Sequence, residues 1–568
     1  MKFSDMKYTR PDIEKIGEET KKIVEKIENA ACFDDVDRAF IDFCDISSDI
    51  ETDMSLAYVR HSIDTKDEFY DKENDYADEI SPQISELANS VNMALFNSPF
   101  RADFNAKYGD ILMKNIEIEL KSFSPETVSD MQEENKLVSE YDKLIASAQI
   151  PFEGGTYTLS QLSPFKQDAD NMVRLNAWKA EGNFYIENGE KLDEIYDKLV
   201  EVRTRIAKKM GYKNFVELGY YRMGRNCYGA EDVKKFREAV VKYIVPIADG
   251  LYREQAKRTG LKYPLNHADK QLEFLSGNPK PAGSADDILS HAKKFYHELS
   301  DKTAEFIDFI YDNELLDVLS KKGKMAGGYC TSLPRYKSPF IFANFNGTQG
   351  DVEVMTHEAG HAFAGYTAFK NGIVHPLMSP SLESCECHSM SMEFFAWPWE
   401  EGFFGADTDK FYYSHLSGAL TFIPYGTMVD HFQHIVYENP DLTPAERHEK
   451  WKELTGIYMP WVALDGVIPF YGDGKFWQRQ IHIYQVPFYY IDYCLAQTVA
   501  LEFWAIMQKD RNDAWERYMR FTNLGGTKTF TELVAAAGLD SPFGEEALRK
   551  VAEVANEWLA GRDMSKLK

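Results

Sequence analysis

The sequence has no long apolar run. No segment of its 568 residues approaches the ~18 uncharged apolar positions that a membrane-crossing helix requires, so no membrane span is expected. Cysteine is sparse: Cys32, Cys44, Cys227, Cys330, Cys385, Cys387 and Cys494 are odd in number and widely scattered. That pattern excludes a small disulfide-stapled secreted domain and fits a reducing compartment. Positive charge is in deficit, with 64 Lys and Arg against 91 Asp and Glu, a formal net charge of −27. Without a local basic stripe, such a chain repels phosphate backbones and anionic lipid, which excludes nucleic acid as an expected partner. Internal repeats and low-complexity tracts are also missing. Hydrophobic residues at 44% with charged residues at 27% exclude a disordered or fibrous chain. At the start, Arg10, Asp12 and Glu14 leave no room for a signal-peptide apolar stretch, and a cytoplasmic location is expected. Nothing in the sequence signals an oligomeric state.

What the chain does have is helical periodicity. Ile13, Ile16, Ile23 and Ile27 stand among many Glu and Lys at helical spacing, and long polar helical hairpins are expected up to residue 147. Those residues form a lid or arm, or simply a solvated bundle. The segment Gln149 to Leu159, two β-prone runs around Gly154-Gly155, predicts a small hairpin and marks a division into residues 1–147 and 148–568 on one continuous scaffold. Leu192, Ile195, Leu199, Val202 and Ile206 share one face of a helix over 188–209. Ser284 with Asp287 predicts a capped helix start. A second β signal, over 339–346, predicts a strand that serves either an ordinary small sheet or, through a free backbone edge, an extended peptide.

The chemistry follows at once. His357-Glu358-Ala359-Gly360-His361 is a His-Glu-x-x-His pentad on a segment whose Val352, Met355, Ala359, Phe363 and Tyr366 form an apolar helix side. Composition alone gives about 0.03 such pentads by chance. Residues four apart project from one helix face, so His357 and His361 can bind one metal while Glu358 flanks it, placed to take a proton from water. Asp351 is expected to cap this helix and Asn371-Gly372 to stop it.

A catalytic zinc takes a third protein ligand. A further His six residues beyond the second would make a metzincin, and that position is Thr367. Downstream, Ser379-Pro380 is expected to open a helix running towards Pro398. Its Cys385 and Cys387, two apart, point to different sides and cannot readily chelate one ion. Glu383, Glu386 and Glu393 share a face, and spacing alone does not choose among them.

The pentad together with Glu386-Cys387-His388-Ser389-Met390-Ser391-Met392-Glu393-Phe394 resembles the M3 family of zinc peptidases, in particular its oligoendopeptidase F branch. The resemblance implies that Glu386 is the third zinc ligand and Glu393 the second, non-ligating Glu of the motif. It departs at Ala364, where many members carry a further His that is not a ligand. Weaker likenesses extend over most of the chain: Arg10-Pro11-Asp12, Phe152-Glu153-Gly154-Gly155, Gly327-Gly328-Tyr329-Cys330 and Gly538-Leu539-Asp540-Ser541-Pro542-Phe543. The family holds the substrate carbonyl oxygen with a downstream His and Tyr, and His482, Tyr490 and Tyr493 match that segment, with Tyr489 the alternative to Tyr490. Implied with it are a mostly α, two-lobed fold enclosing a deep channel, one Zn2+ per chain, and cleavage inside short unstructured peptides with Glu358 as base and then acid. Two other readings compete: a zinc carboxypeptidase, which needs a group for the free substrate carboxylate, and a peptide-binding relative without catalysis. Retention of both His, Glu358 and a third ligand speaks against the latter.

Overall fold

The computed structural model describes residues 1–325, 327–564 and 567, and it is mostly helical with five short strands among those residues. Two compact units emerge from the internal contacts, each assembled from three stretches of chain. The first comprises Met1–Glu117, Lys280–Thr408 and Ile506–Leu539; the second comprises Ile118–Pro279, Asp409–Ala505 and Asp540–Lys568. The break nearest the expected one at 147/148 therefore falls at 117/118. Its physical reason is that helix Val128–Ala146 packs along helix Gly189–Lys209. Glu134 of the former accepts a 2.7 Å hydrogen bond from buried Arg203 of the latter, a pairing that a boundary at 147 would divide.

In the first unit, helix Ile13–Glu28 begins where Asp12 accepts the Lys15 N–H, and it buries Ile16, Ile23 and Ile27. Ile23 and Ile27 join Val36, Phe40 and Leu95 of helices Phe33–Ile63 and Glu68–Asn97 in one core. Arg10, from the Arg-Pro-Asp segment, pairs with Glu73 at 2.6 Å. A three-stranded sheet follows, built from β3 (Leu316–Leu319), β4 (Tyr329–Leu333) and β5 (Ser338–Phe345) in the order β3-β5-β4. β5 is parallel to β3 and antiparallel to β4. The strand expected over 339–346 is thus the central one. Both of its backbone edges are paired, so it has no free edge for a peptide, and its unbroken apolar run Phe340-Ile341-Phe342-Ala343 is that of a strand buried on both faces.

In the second unit the expected hairpin is present as β1 (Ile150–Phe152) and β2 (Gly155–Tyr157). Its two turn residues, Glu153 at φ 45° and Gly154 at φ 79°, both have positive φ, as a two-residue hairpin turn matched to strand twist requires. Leu192, Ile195, Leu199, Val202 and Ile206 are fully buried on the helix expected for them, and Ser284 and Asp287 of the first unit form the expected capping box. Among the described residues, no helix is long and apolar enough to cross a membrane.

Candidate metal centre

The pentad lies in helix Gly350–Lys370, with Val352, Met355, Ala359, Phe363 and Tyr366 buried as the periodicity requires. Asp351 does not cap it. The N-cap is Gln349, without a side-chain cap bond, and Asp351 sits inside the first turn. There its carboxylate accepts the Asn346 N–H at 2.9 Å and the Gly347 N–H at 2.7 Å, tying the β5–helix loop to the helix. At the far end Asn371 is the C-cap and Gly372 takes positive φ, as expected. The next helix begins at Leu382, with Ser381 rather than Ser379 at its N-cap, and runs to Phe395.

The two helices approach closely at Gly360. A Cβ there would stand 2.8 Å from Ser389 Cα and 3.0 Å from the His388 carbonyl oxygen, so only glycine admits this separation. The approach brings one carboxylate to both imidazoles. Glu386 Oε2 is 3.5 Å from His357 Nε2 and 3.7 Å from His361 Nε2, and ligand atoms of the three residues all lie within 4.8 Å of one another. Of the three glutamates that spacing left open, Glu386 alone joins this cluster. Glu393, seven residues on, accepts from His357 Nδ1 at 2.6 Å, and Glu383 is buried outside the set. Ser389, one turn after Glu386, donates its hydroxyl to Glu386 Oε2 at 3.2 Å. The i, i+3 spacing of the two residues is the only sequence signal of that contact.

The electrostatics follow from burial among unlike charges. Burial works against charge on His357, but hydrogen bonds to Glu386 and Glu393 outweigh it and raise its proton affinity well above the ordinary imidazole range. At His361, burial and the neighbouring His357 outweigh the pull of Glu386 and Glu393 and lower it to about 4. Burial also works to raise Glu386, but its bond to His357 and the pull of both histidines hold it below the usual carboxylate range. Glu358, flanking the cluster, is raised by burial. Cys385 is pushed up to about 12 by burial and lies outside the cluster of possible ligands. Two imidazoles and one carboxylate, with a proton-accepting carboxylate alongside, are a donor set that could hold a metal ion.

Comparison with known proteins agrees. Residues 3–123 match the peptidase M3 N-terminal domain, and residues 283–553 match peptidase family M3. The solved structure of PZ peptidase A with an inhibitor is 47% identical and has a TM-score of 0.90, covering 99% of this chain and 100% of its own. The chain belongs to peptidase family M3. A Bacillus anthracis str. Ames structure provisionally named oligoendopeptidase F is 46% identical, covers 100% of this chain and 99% of its own, and has a TM-score of 0.86. An oligoendopeptidase F homolog of Borreliella burgdorferi is 22% identical over 408 residues; the match takes in 69% of this chain and 64% of that relative's length. These place this M3 peptidase on the oligoendopeptidase F branch.

The remaining expected residues form a cluster of their own in the second unit. His482 lies in helix Ile481–Gln485, and Tyr490 opens helix Tyr490–Met507. The His482 ring centroid is 4.8 Å from that of Tyr490, 5.7 Å from Tyr489 and 6.1 Å from Tyr493. All three tyrosines therefore surround the imidazole, and the choice between Tyr489 and Tyr490 is not one of proximity. Burial lowers His482 and raises Tyr490.

Proposed function

We propose that this M3 peptidase is a zinc-dependent endopeptidase that cuts internal bonds of short, unstructured peptides in the cytoplasm, with one zinc per chain. The observation that carries the reading is the convergence of His357, His361 and Glu386, beside Glu358. Two imidazoles and a carboxylate are the three-ligand set of catalytic zinc sites, which keep a position open for water, unlike closed structural sites. Zinc bound there supplies an electrophile for the scissile carbonyl and acidifies the attacking water.

The residues divide the remaining work. Glu393 accepts the Nδ1 proton of His357, which leaves the Nε2 lone pair for the metal. Glu358 takes a proton from the attacking water onto its carboxylate and then delivers it to the departing amine nitrogen as the C–N bond breaks. Its raised proton affinity suits it to both transfers. His482, Tyr490 and Tyr493 would donate hydrogen bonds to the carbonyl oxygen as it gains negative charge, the role their resemblance implies.

The deciding experiment is hydrolysis of a mixed peptide library blocked at both ends, read by mass spectrometry with and without a zinc chelator. Internal cuts that vanish with chelator and return with zinc are expected. Trimming of free-ended peptides alone would replace the reading with an exopeptidase. No cutting by zinc-loaded protein would leave a peptide-binding protein. In parallel, Glu358→Gln is expected to keep zinc and lose turnover; an active variant would overturn the mechanism.

A further inference from the structure

We infer that Gln480 and Tyr425 are positioning residues for His482, a chain of hydrogen bonds that holds the imidazole as the tautomer carrying its proton on Nε2. The inference rests on the reading that His482 donates to the substrate carbonyl oxygen. The Tyr425 hydroxyl donates to Gln480 Oε1 at 2.7 Å, and Gln480 Nε2 stands 2.7 Å from His482 Nδ1. An amide nitrogen has protons to give and no lone pair to accept with, so Nδ1 must be the acceptor and the ring proton must sit on Nε2. The direction of the chain is set by its first member. The hydroxyl of Tyr425 donates to the amide oxygen, which leaves the amide nitrogen facing His482.

The tautomer matters in the neutral imidazole of His482, the form that burial favours. Burial lowers its proton affinity, and among the described residues no charged side chain opposes that: the groups facing the ring are Gln480, Tyr489, Tyr490 and Tyr493. A neutral imidazole has one N–H, so the partner of Nδ1 decides whether Nε2 donates or accepts. The chain makes the opposite choice at His357, where Glu393 accepts from Nδ1 and frees the Nε2 lone pair for a metal. A carboxamide at 480 and a carboxylate at 393 thus give two histidines opposite uses of the same atom.

The test uses full-length zinc-loaded protein and an end-blocked quenched peptide. His482→Ala sets the reference, with kcat expected to fall about 10²-fold to 10³-fold. Gln480→Leu is expected to lower kcat at least about tenfold with little change in KM, and to lower it no further in the His482→Ala background. Tyr425→Phe, a milder change, is expected to lower kcat in the same direction by less. Gln480→Glu adds a signature that a merely structural role would not move. Its carboxylate holds the proton on Nδ1, so activity persists only while the imidazole is doubly protonated, and a new titration cuts off the alkaline limb of the kcat profile. Wild-type kcat in Gln480→Leu beside an impaired His482→Ala overturns the positioning role, as does a Gln480→Leu loss that survives intact without His482. A fully active His482→Ala overturns the underlying reading of His482, and the inference with it.

Discussion

Glu393 Oε1 stands 2.6 Å from His357 Nδ1, close enough for a charge-assisted hydrogen bond that sets the ring's orientation and its tautomer together. Glu393 stands outside the cluster of His357, His361 and Glu386, yet it governs how the first histidine would present itself to a metal. Glu393→Ala is expected to weaken zinc binding about 10-fold to 100-fold, and Glu393→Gln, which keeps an acceptor, by less. Competition against a chelator of known affinity measures both. Unchanged affinity in Glu393→Ala would remove Glu393 from the centre.

Gly360 offers a prediction of sign. Alanine in place of glycine in a helix interior ordinarily stabilises by about 0.5–1 kcal/mol. Here the added Cβ would meet Ser389 Cα at 2.8 Å and the His388 carbonyl at 3.0 Å, backbone atoms that cannot swing aside. Gly360→Ala should therefore destabilise, by about 1–3 kcal/mol, and weaken zinc binding as the Glu386 helix is pushed away. Denaturant unfolding and zinc titration read the two effects, and a stabilised variant with full zinc affinity would refute the close-approach account.

Much of this centre was legible in the chain, for identifiable reasons. His357 and His361 were readable because a four-residue interval has only one consequence on a helix, and the flanking apolar residues place that helix. Glu386 was not. Glu383, Glu386 and Glu393 share a face, and only the rotation and closeness of the second helix, set at Gly360, distinguish them; the family motif supplied what spacing could not. Asp351 was misassigned because an acidic residue at a helix start serves a cap or a loop equally well, and the distinction depends on where the first turn begins. The strand at 338–345 was found by its β-branched and aromatic content, but pairing on both edges depends on β3 and β4, which a local reading does not see. Gln480 and Tyr425 carry no pattern at all: they are 55 residues apart in sequence and meet only in the fold.

Glu502 predicts a pH dependence of stability. It is buried, its Oε1 accepts the Asp540 N–H at 3.0 Å, and burial raises its carboxyl to about 8. Between an ordinary carboxyl value and about 8 the folded chain holds a proton that the unfolded chain has released. Stability from this site is therefore full in acid and falls as pH rises through that window, by up to about 1.4 kcal/mol per pH unit. Glu502→Gln keeps the acceptor and abolishes the titration. Its advantage over wild type should grow from pH 5 to pH 8 in denaturant unfolding, and parallel profiles would contradict the assignment.

Asp492 lies between Tyr490 and Tyr493 in the first turn of their helix, fully buried, with Arg225 Nη2 2.8 Å away and the Tyr228 hydroxyl at 3.2 Å. Removing one partner of a buried pair strands the other charge. Arg225→Met should cost about 3–5 kcal/mol, and adding Asp492→Leu should recover a large part of it. A double variant no more stable than the single one would show that the pair is not the source of the loss.

The first unit is assembled from three separated stretches of chain, and this gives the candidate metal centre a timetable. The helix that supplies Glu386 and the turn before it are braced by a stretch made much later: the Tyr518 hydroxyl donates to the His388 carbonyl, and the Gly526 N–H donates to the carbonyl of Leu377 in that turn at 2.8 Å. Chain emerging from a ribosome thus presents both histidines and Glu386 well over a hundred residues before their buttress exists. In that order of synthesis, the cluster of His357, His361 and Glu386 gains this packing only once residues 518–526 have been made.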